Sequence, residues 1–166
     1  MPVEIERKFL VSSDAWRHGA TGRRYRQGYL KQSGNPPTIR IRTVGTDAFL
    51  TIKSQPTGIV RDEYEYRIPL DDAEAMLENL CLHPLIEKIR YEIWHQGSLW
   101  EVDEFLSRNT GLVVAEIELQ SPDQVFSRPP WLGREVTGDS RYSNSSLASC
   151  PFADWQYAEI LRSSPV

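Results

Sequence analysis

The chain alternates apolar and polar side chains with a period of two over most of its length. In "VEIERKFLV", from Val3 to Val11, Val3, Ile5, Arg7 and Phe9 share one side of an extended strand, while Glu4, Glu6 and Lys8 share the other. The same pattern, rich in β-branched and aromatic residues, predicts strands near Val3–Leu10, Arg24–Leu30, Thr38–Val44, Ala48–Ser54, Asp62–Ile68, Glu87–Trp94, Leu99–Phe105 and Leu112–Gln120. Turn-forming stretches separate them: "SGNPP" at 33–37, "VGTD" at 44–47, "PTG" at 56–58, "HQGS" at 95–98 and "RNTG" at 108–111. Connections this short imply antiparallel neighbours.

Helical periodicity interrupts the alternation in a few places. In "DDAEAMLENL", Ala73, Met76, Leu77 and Leu80 recur at helical spacing behind Asp71 or Asp72 as N-cap. "SPDQVF" has Ser121 as N-cap, Pro122 at the first helical position and Gln124 closing a capping box. A further helix is predicted over about Ala153–Arg162, and a short helical turn over Ser13–Trp16. No repeat or long linker divides the chain, so one domain is expected.

The polar faces of the strands are sign-segregated. Arg40 and Arg42 share a face, as do Glu63 and Glu65, Glu101 and Asp103, and Glu116 and Glu118; Lys53 stands opposite Leu50 and Ile52, and Lys88, Arg90 and Glu92 oppose Ile89, Tyr91 and Ile93. Taken alone, any one of these strands reads as the watered side of a half-buried sheet. Taken together, like charges two residues apart, about 6.6–6.8 Å, repel by roughly 0.6 kcal/mol in bulk water and about 2.4 kcal/mol at an effective dielectric of ~20. A mixed surface would be cheaper. Eight strands suffice to close a barrel, and periodicity alone leaves open whether the charges face its lumen or the solvent.

Composition narrows the candidate chemistry. At 166 residues, 40% hydrophobic and 25% charged, the chain is an ordinary globular one with enough length for a core. A net charge of −4 argues against nucleic acid or an anionic membrane as partner, so any anion site must be a local concentration of base. No stretch of about 18 apolar residues is present, and a soluble cytoplasmic protein is expected. Cys81 and Cys150 read as two buried thiols, and His18, His83 and His95 as surface or packing residues without metal-ligand spacing. No glycine-rich phosphate loop occurs, so bound phosphate must be held by side chains.

"VEIERKFLV" carries the E-x-E-x-K signature that opens the CYTH superfamily, the triphosphate tunnel metalloenzymes, and the chain resembles its short bacterial members onward through "RQGYL", "IRIR", "LTIKS", "RDEYEYRIP", "EKIRYEI", "WEVDEF", "VAEIEL" and "WLGREVTGDSRYSNSSLA". The resemblance implies an α+β, mainly antiparallel fold: a closed eight-stranded β-barrel with a charged lumen and a few flanking helices, spanning 1–148, with 149–166 as a tail, helical in part, packed on the same domain. It implies that Lys8, Arg40, Arg42, Lys53, Lys88 and Arg90 bind phosphate, and that Glu4, Glu6, Glu116 and Glu118, with Asp103 near them, hold Mg²⁺ or Mn²⁺. Glu63 and Glu65 are read as holding a second metal or orienting the attacking water. Tyr29 is read either as pairing with Lys8 across adjacent strands, with a lysine of lowered pKa as base, or as packing only while Lys8 grips phosphate. Arg24 and Arg26 stand either at a tunnel mouth or in solvent, Arg134, Arg141 and Tyr142 either as a lid or as a tie for the C-terminal segment, and Glu104 breaks an otherwise apolar outer face. The implied function is metal-dependent hydrolysis of inorganic tripolyphosphate. Adenylate cyclase and thiamine-triphosphatase activities of the same superfamily are the alternatives, and a non-catalytic polyphosphate- or nucleotide-binding module is a third. The expected partner is a small-molecule triphosphate; the oligomeric state is open, a homodimer included.

Overall fold

The computed structural model of the protein describes residues 2–31 and 37–155. Its strands are β1 (Val3–Val11), β2 (Gly22–Tyr29), β3 (Thr38–Val44), β4 (Asp47–Lys53), β5 (Val60–Arg67), β6 (Ile86–His95), β7 (Ser98–Phe105), β8 (Val113–Glu118) and β9 (Leu132–Glu135), with helices α1 (Leu70–Asn79) and α2 (Asn144–Ser149). All pairings are antiparallel, in the order β5-β4-β3-β2-β6-β7-β8-β1-β9, and a β5–β1 pairing closes the first eight strands into a barrel. β1 divides its outer edge: Val3, Glu4 and Ile5 pair with β5, whereas Phe9 and Val11 pair with β9. The eight expected strands form within a few residues of their sequence limits; β9, only four residues long, was not foreseen. It is fixed by Arg7, whose Nε donates to Glu135 at 2.7 Å.

The apolar halves of the alternation point outward and are covered piece by piece. Ala73 and Leu77 of α1 lie on Ile41 and Ala48, with Cys81 in the same cluster. Gly28 permits this approach, since a Cβ there would stand 2.8 Å from Cys81 Cβ and Leu85 Cδ2. The segment after β8 covers β1 and β7, packing Phe126 and Trp131 edge-on against Trp100 at 5.6 and 5.9 Å between ring centroids. Tyr142, Leu147 and Ala148 pack on Tyr29, Ile86, Phe105, Leu112 and Val114, so the C-terminal segment plugs one end of the barrel. Edge-on aromatic pairs add about 0.5–1.5 kcal/mol each beyond their buried area.

Several expectations change. α1 begins at Leu70 behind Pro69, placing Asp71 and Asp72 in its first turn, where they complement the helix dipole; Leu80 caps its C-terminus and stays half exposed. "SPDQVF" forms a tight turn and no helix. Gln124 reaches back to accept from Gln120 N at 2.7 Å, but Phe126 is drawn against Phe9 and Trp100, and Pro129 and Pro130 remove the donors a continuing helix needs. The helical turn near Ser13 is a 3-10 turn at Ala15–Arg17 that buries Trp16. Of the predicted 153–162 helix, 153–155 is helical and the rest lies outside the described residues, as does most of "SGNPP". Cys81 is buried but Cys150 is exposed. The "HQGS" hairpin turns on Gln96 and Gly97, both at positive φ, as a two-residue hairpin turn requires. Glu104 is paired with Arg17 on the outer face.

Candidate active site

The charged faces point inward. They line a cavity of about 200 Å³ that receives side chains from β1, β2, β3, β4, β5, β6, β7 and β8 and from Ser143, Asn144 and Ser145 of the C-terminal plug. Along the inward row of β6, Lys88 is fully buried, Arg90 is 9% exposed, Glu92 is exposed and Trp94 is 70% exposed. The lumen is therefore blind at the Lys88 end and open at the Trp94 end.

Seven basic and seven acidic side chains line the cavity, so the described lumen is formally neutral and has no net attraction for a polyanion. The bases concentrate on β3, β4 and β6. Arg40 Nη2 donates to Thr51 at 3.1 Å and to Glu65 at 3.3 Å, while its buried Nε has no hydrogen-bond partner. Arg42 Nε donates to the amide oxygen of buried Gln27 at 2.8 Å, and Arg42 forms no ion pair among the described residues. Burial, then the charges of Arg40 and Arg90, pull its pKa down to about 9. Lys53 bridges Glu4 at 2.8 Å and Glu63 at 3.0 Å. Arg90 grips Asp103 through Nε and Nη2 at 2.7 and 2.8 Å and reaches Glu101 at 2.7 Å.

The acids concentrate on β7, β8, β1 and β5. Glu6 stands directly across from Glu118, and Glu101 from Glu116, although like charges facing each other across a ladder are destabilising. Burial, reinforced by Glu116 and Glu4, pushes the Glu6 carboxyl up to about 8. Glu118 is raised by burial and by Glu4, Glu63 and Glu101. Burial acts the same way on Glu4 and Glu116 but is outweighed, by Lys53 and Arg61 for Glu4 and by Lys8 and Arg90 for Glu116, so both are held low.

This placement is that of a known family: the CYTH domain profile matches residues 2–149. The chain belongs to the CYTH family. The chain is 49% identical over 156 residues, 94% of its length and 99% of the relative's, to an inorganic triphosphatase of Acetivibrio thermocellus. It is 41% identical over 151 residues to one of Nitrosomonas europaea, covering 88% and 97% of the two chains. A solved inorganic triphosphatase superposes with a TM-score of 0.62 at 38% identity, over 87% of this chain and 96% of that one. A Bacillus halodurans structure described as a candidate adenylate cyclase has a TM-score of 0.60 at 17% identity, over 74% and 84% of the two chains, and shows the shared fold alone.

Of the residues singled out in the sequence, the CYTH barrel gathers Glu4, Glu6, Lys8, Tyr29, Arg40, Arg42, Lys53, Glu63, Glu65, Lys88, Arg90, Glu116 and Glu118 around one cavity. Asp103 is not among its lining residues: wholly buried behind the wall, it spends both oxygens on Lys88 and Arg90, which hold its pKa well below the usual range against the effect of burial. Lys8 and Tyr29 are not on adjacent strands, because β1 neighbours β5, β8 and β9 while β2 neighbours β3 and β6. The Lys8 pKa is raised and not lowered, since Glu116 and Glu6 outweigh burial. Arg24 and Arg26 face solvent and pair with Glu87 and Glu74, while buried Tyr142 ties the C-terminal segment down. Arg61, Glu101, Thr38, Ser143, Asn144 and Ser145 join the site unforeseen. Arg61 carries the same strand parity as Glu63 and Glu65, which was the available signal; nothing in the local pattern marked the plug residues.

Among the described residues, no three carboxylate, imidazole or thiolate groups converge into a ready metal cage. The donor set nevertheless suits Mg²⁺, which is held by one or two carboxylates with water and substrate phosphate completing the shell. The facing pair Glu6 and Glu118 is raised in pKa by burial and then by neighbouring negative charge, a condition that a cation relieves.

Proposed function

We propose that this chain is a metal-dependent inorganic triphosphatase that admits tripolyphosphate at the open end of the barrel and hydrolyses it within. The observation that carries the reading is the unmatched positive charge of the basic wall: half-buried Arg42 without a carboxylate partner among the described residues, and Arg40 Nε buried without a hydrogen-bond partner. An orphaned buried donor costs about 1–3 kcal/mol, and a phosphate oxygen relieves it. Arginine suits this task because its planar fork takes two phosphate oxygens at once.

In this reading Arg40, Arg42 and Lys8 bind the phosphates, joined by Lys53, Lys88 and Arg90. Glu6, Glu116 and Glu118 are the residues that would hold Mg²⁺ or Mn²⁺. A metal held there would neutralise phosphate charge and polarise the phosphorus–oxygen bonds. Glu4, already bonded to Lys53 and Arg61, supports that set. Glu63 and Glu65 orient the attacking water, Tyr29 fixes the phosphate nearest the plug, and Asp103 holds Lys88 and Arg90 in place. Water adds to the terminal phosphorus, the bridging phosphorus–oxygen bond breaks, and orthophosphate and pyrophosphate leave. Such phosphoryl transfer needs positioning and charge stabilisation more than covalent help. We assign residues 1–148 to the catalytic domain and 149–166 to a tail; no helix among the described residues is long and apolar enough to cross a membrane, in keeping with a cytoplasmic enzyme.

The test is to incubate the purified chain with tripolyphosphate, ATP or thiamine triphosphate in Mg²⁺, Mn²⁺ or EDTA and to quantify orthophosphate, pyrophosphate and cyclic AMP. Metal-dependent orthophosphate and pyrophosphate, released fastest from tripolyphosphate, are expected. Cyclic AMP from ATP, or tight binding without turnover, would contradict the reading.

A further inference from the structure

The blind end of the cavity contains a hydrogen-bonded relay that the charged residues do not explain. Gln27 is fully buried, and both ends of its amide are occupied. Its oxygen accepts from Arg42 Nε at 2.8 Å. Its nitrogen donates to Tyr29 Oη at 2.9 Å and to Asn144 Oδ1 at 3.2 Å. That same Asn144 oxygen also accepts from Lys88 Nζ at 2.9 Å. Two neutral amides thus connect three cavity-lining side chains on three strands.

Asn144 comes from outside the barrel strands. It is the first residue of α2, behind Ser143, whose side chain accepts from Ser146 N. The segment that carries it is moored independently: Val136 N donates to Lys8 O at 2.8 Å, Lys8 N donates to Thr137 Oγ1 at 2.9 Å, and Phe152 N donates to Asn109 Oδ1 at 2.9 Å. Docking of the C-terminal segment therefore sets where Asn144 stands.

We propose that Gln27 and Asn144 are positioning residues, coupling the docked C-terminal segment to the orientation of Arg42, Tyr29 and Lys88; this rests on the triphosphatase reading. A neutral amide suits the role because it fixes Arg42 without cancelling its charge, leaving that charge to a phosphate, while Lys88, whose charge Asp103 already meets, is held in place by the same network. Misplacing a binding group by about 1 Å can cost on the order of 100-fold in rate.

The experiment compares Asn144→Ala, Asn144→Gln, Gln27→Met, Arg42→Ala and the Gln27→Met/Arg42→Ala double variant, reading kcat and KM for tripolyphosphate, calorimetric affinity for tripolyphosphate in EDTA, and melting temperature. Asn144→Ala is expected to weaken affinity and kcat/KM by about 10-fold with little change in melting, and Asn144→Gln, which keeps a neutral amide oxygen as acceptor for Lys88, to recover most of that loss. Gln27→Met is expected to cost about 30-fold alone but less than about 3-fold in the Arg42→Ala background, because a residue acting through Arg42 has little left to lose once Arg42 is gone. Losses that multiply in the double variant, or an Asn144→Gln no better than Asn144→Ala, overturn the inference while wild-type turnover leaves the functional reading standing. Should Gln27→Met not fold, the Asn144 pair decides alone. A wild-type chain that neither binds nor hydrolyses tripolyphosphate overturns both.

Discussion

The two walls of the barrel handle charge in opposite ways. On the basic side, Arg42 is held by an amide, and Arg40, paired with Glu65 through Nη2, keeps a bare Nε, so part of the positive charge is fixed in place and left unspent. On the acidic side, Glu6 faces Glu118 and Glu101 faces Glu116 across the ladder, and the Glu6 carboxyl rises to about 8 through burial, reinforced by neighbours that share its sign. Each wall is unsatisfied, with opposite sign. A lumen that is formally neutral as a whole is thus divided into one half that lacks an anion and one that lacks a cation, which is the condition for binding a metal and a polyphosphate together.

Removing the unspent cation should do the most damage. Arg42→Ala is expected to lower kcat/KM for tripolyphosphate by about 100- to 1,000-fold, the scale of losing one preorganised donor to a developing negative charge; steady-state kinetics would check this. Asp103→Asn strikes behind the basic wall, leaving Lys88 buried without its counter-charge and Arg90 with only Glu101 and Glu116, and should cost about 3 kcal/mol in chemical denaturation. Because the folded-state pKa of Asp103 is depressed, its stabilisation is present in full above its unfolded pKa of about 3.9 and is lost as pH falls through the folded value. The gap between wild type and Asp103→Asn should accordingly hold from neutrality to about pH 4 and narrow only below it. On the acidic wall, Glu6→Gln and Glu118→Gln should each reduce turnover by about 10- to 100-fold and raise the Mg²⁺ concentration for half-maximal rate, read from a metal titration. Arg24→Ala, outward on the same strand as Gln27, should change stability by less than about 1 kcal/mol and leave the kinetics unchanged; an effect on turnover there would blur the division between lumen and surface.

Much of this was legible in the sequence because strand alternation is a local property. The eight barrel strands and the charged rows Glu4–Glu6–Lys8, Arg40–Arg42 and Glu116–Glu118 all follow from a period of two, and the family resemblance supplied the one thing periodicity lacks, which side faces in. What escaped depends on contacts distant in the chain. Asp103 shares its parity with lumen residues, yet Lys88 and Arg90 from the neighbouring strand bury it. Of the two readings of Tyr29, the one that pairs it with Lys8 across adjacent strands fails on strand order, which no local pattern encodes. β9 was too short to declare itself until Arg7, 128 residues away, captured Glu135. In "SPDQVF" Gln124 accepts from Gln120 N where a capping box would have it bond the Ser121 N–H, and the helix is lost to Phe126, whose place is set by Phe9 and Trp100.

The division of labour between the walls is tested most directly by calorimetric binding of tripolyphosphate in EDTA to wild type, Glu6→Gln, Glu118→Gln and Arg42→Ala. Without metal, the acidic wall repels the ligand, so Glu118→Gln should bind tripolyphosphate more tightly than wild type, and Glu6→Gln, whose carboxyl with its pKa at about 8 is already largely protonated at neutrality, at least as tightly, although both turn it over more slowly in Mg²⁺; Arg42→Ala should bind more weakly. Glutamine variants that lose affinity in EDTA alongside Arg42→Ala would contradict the account.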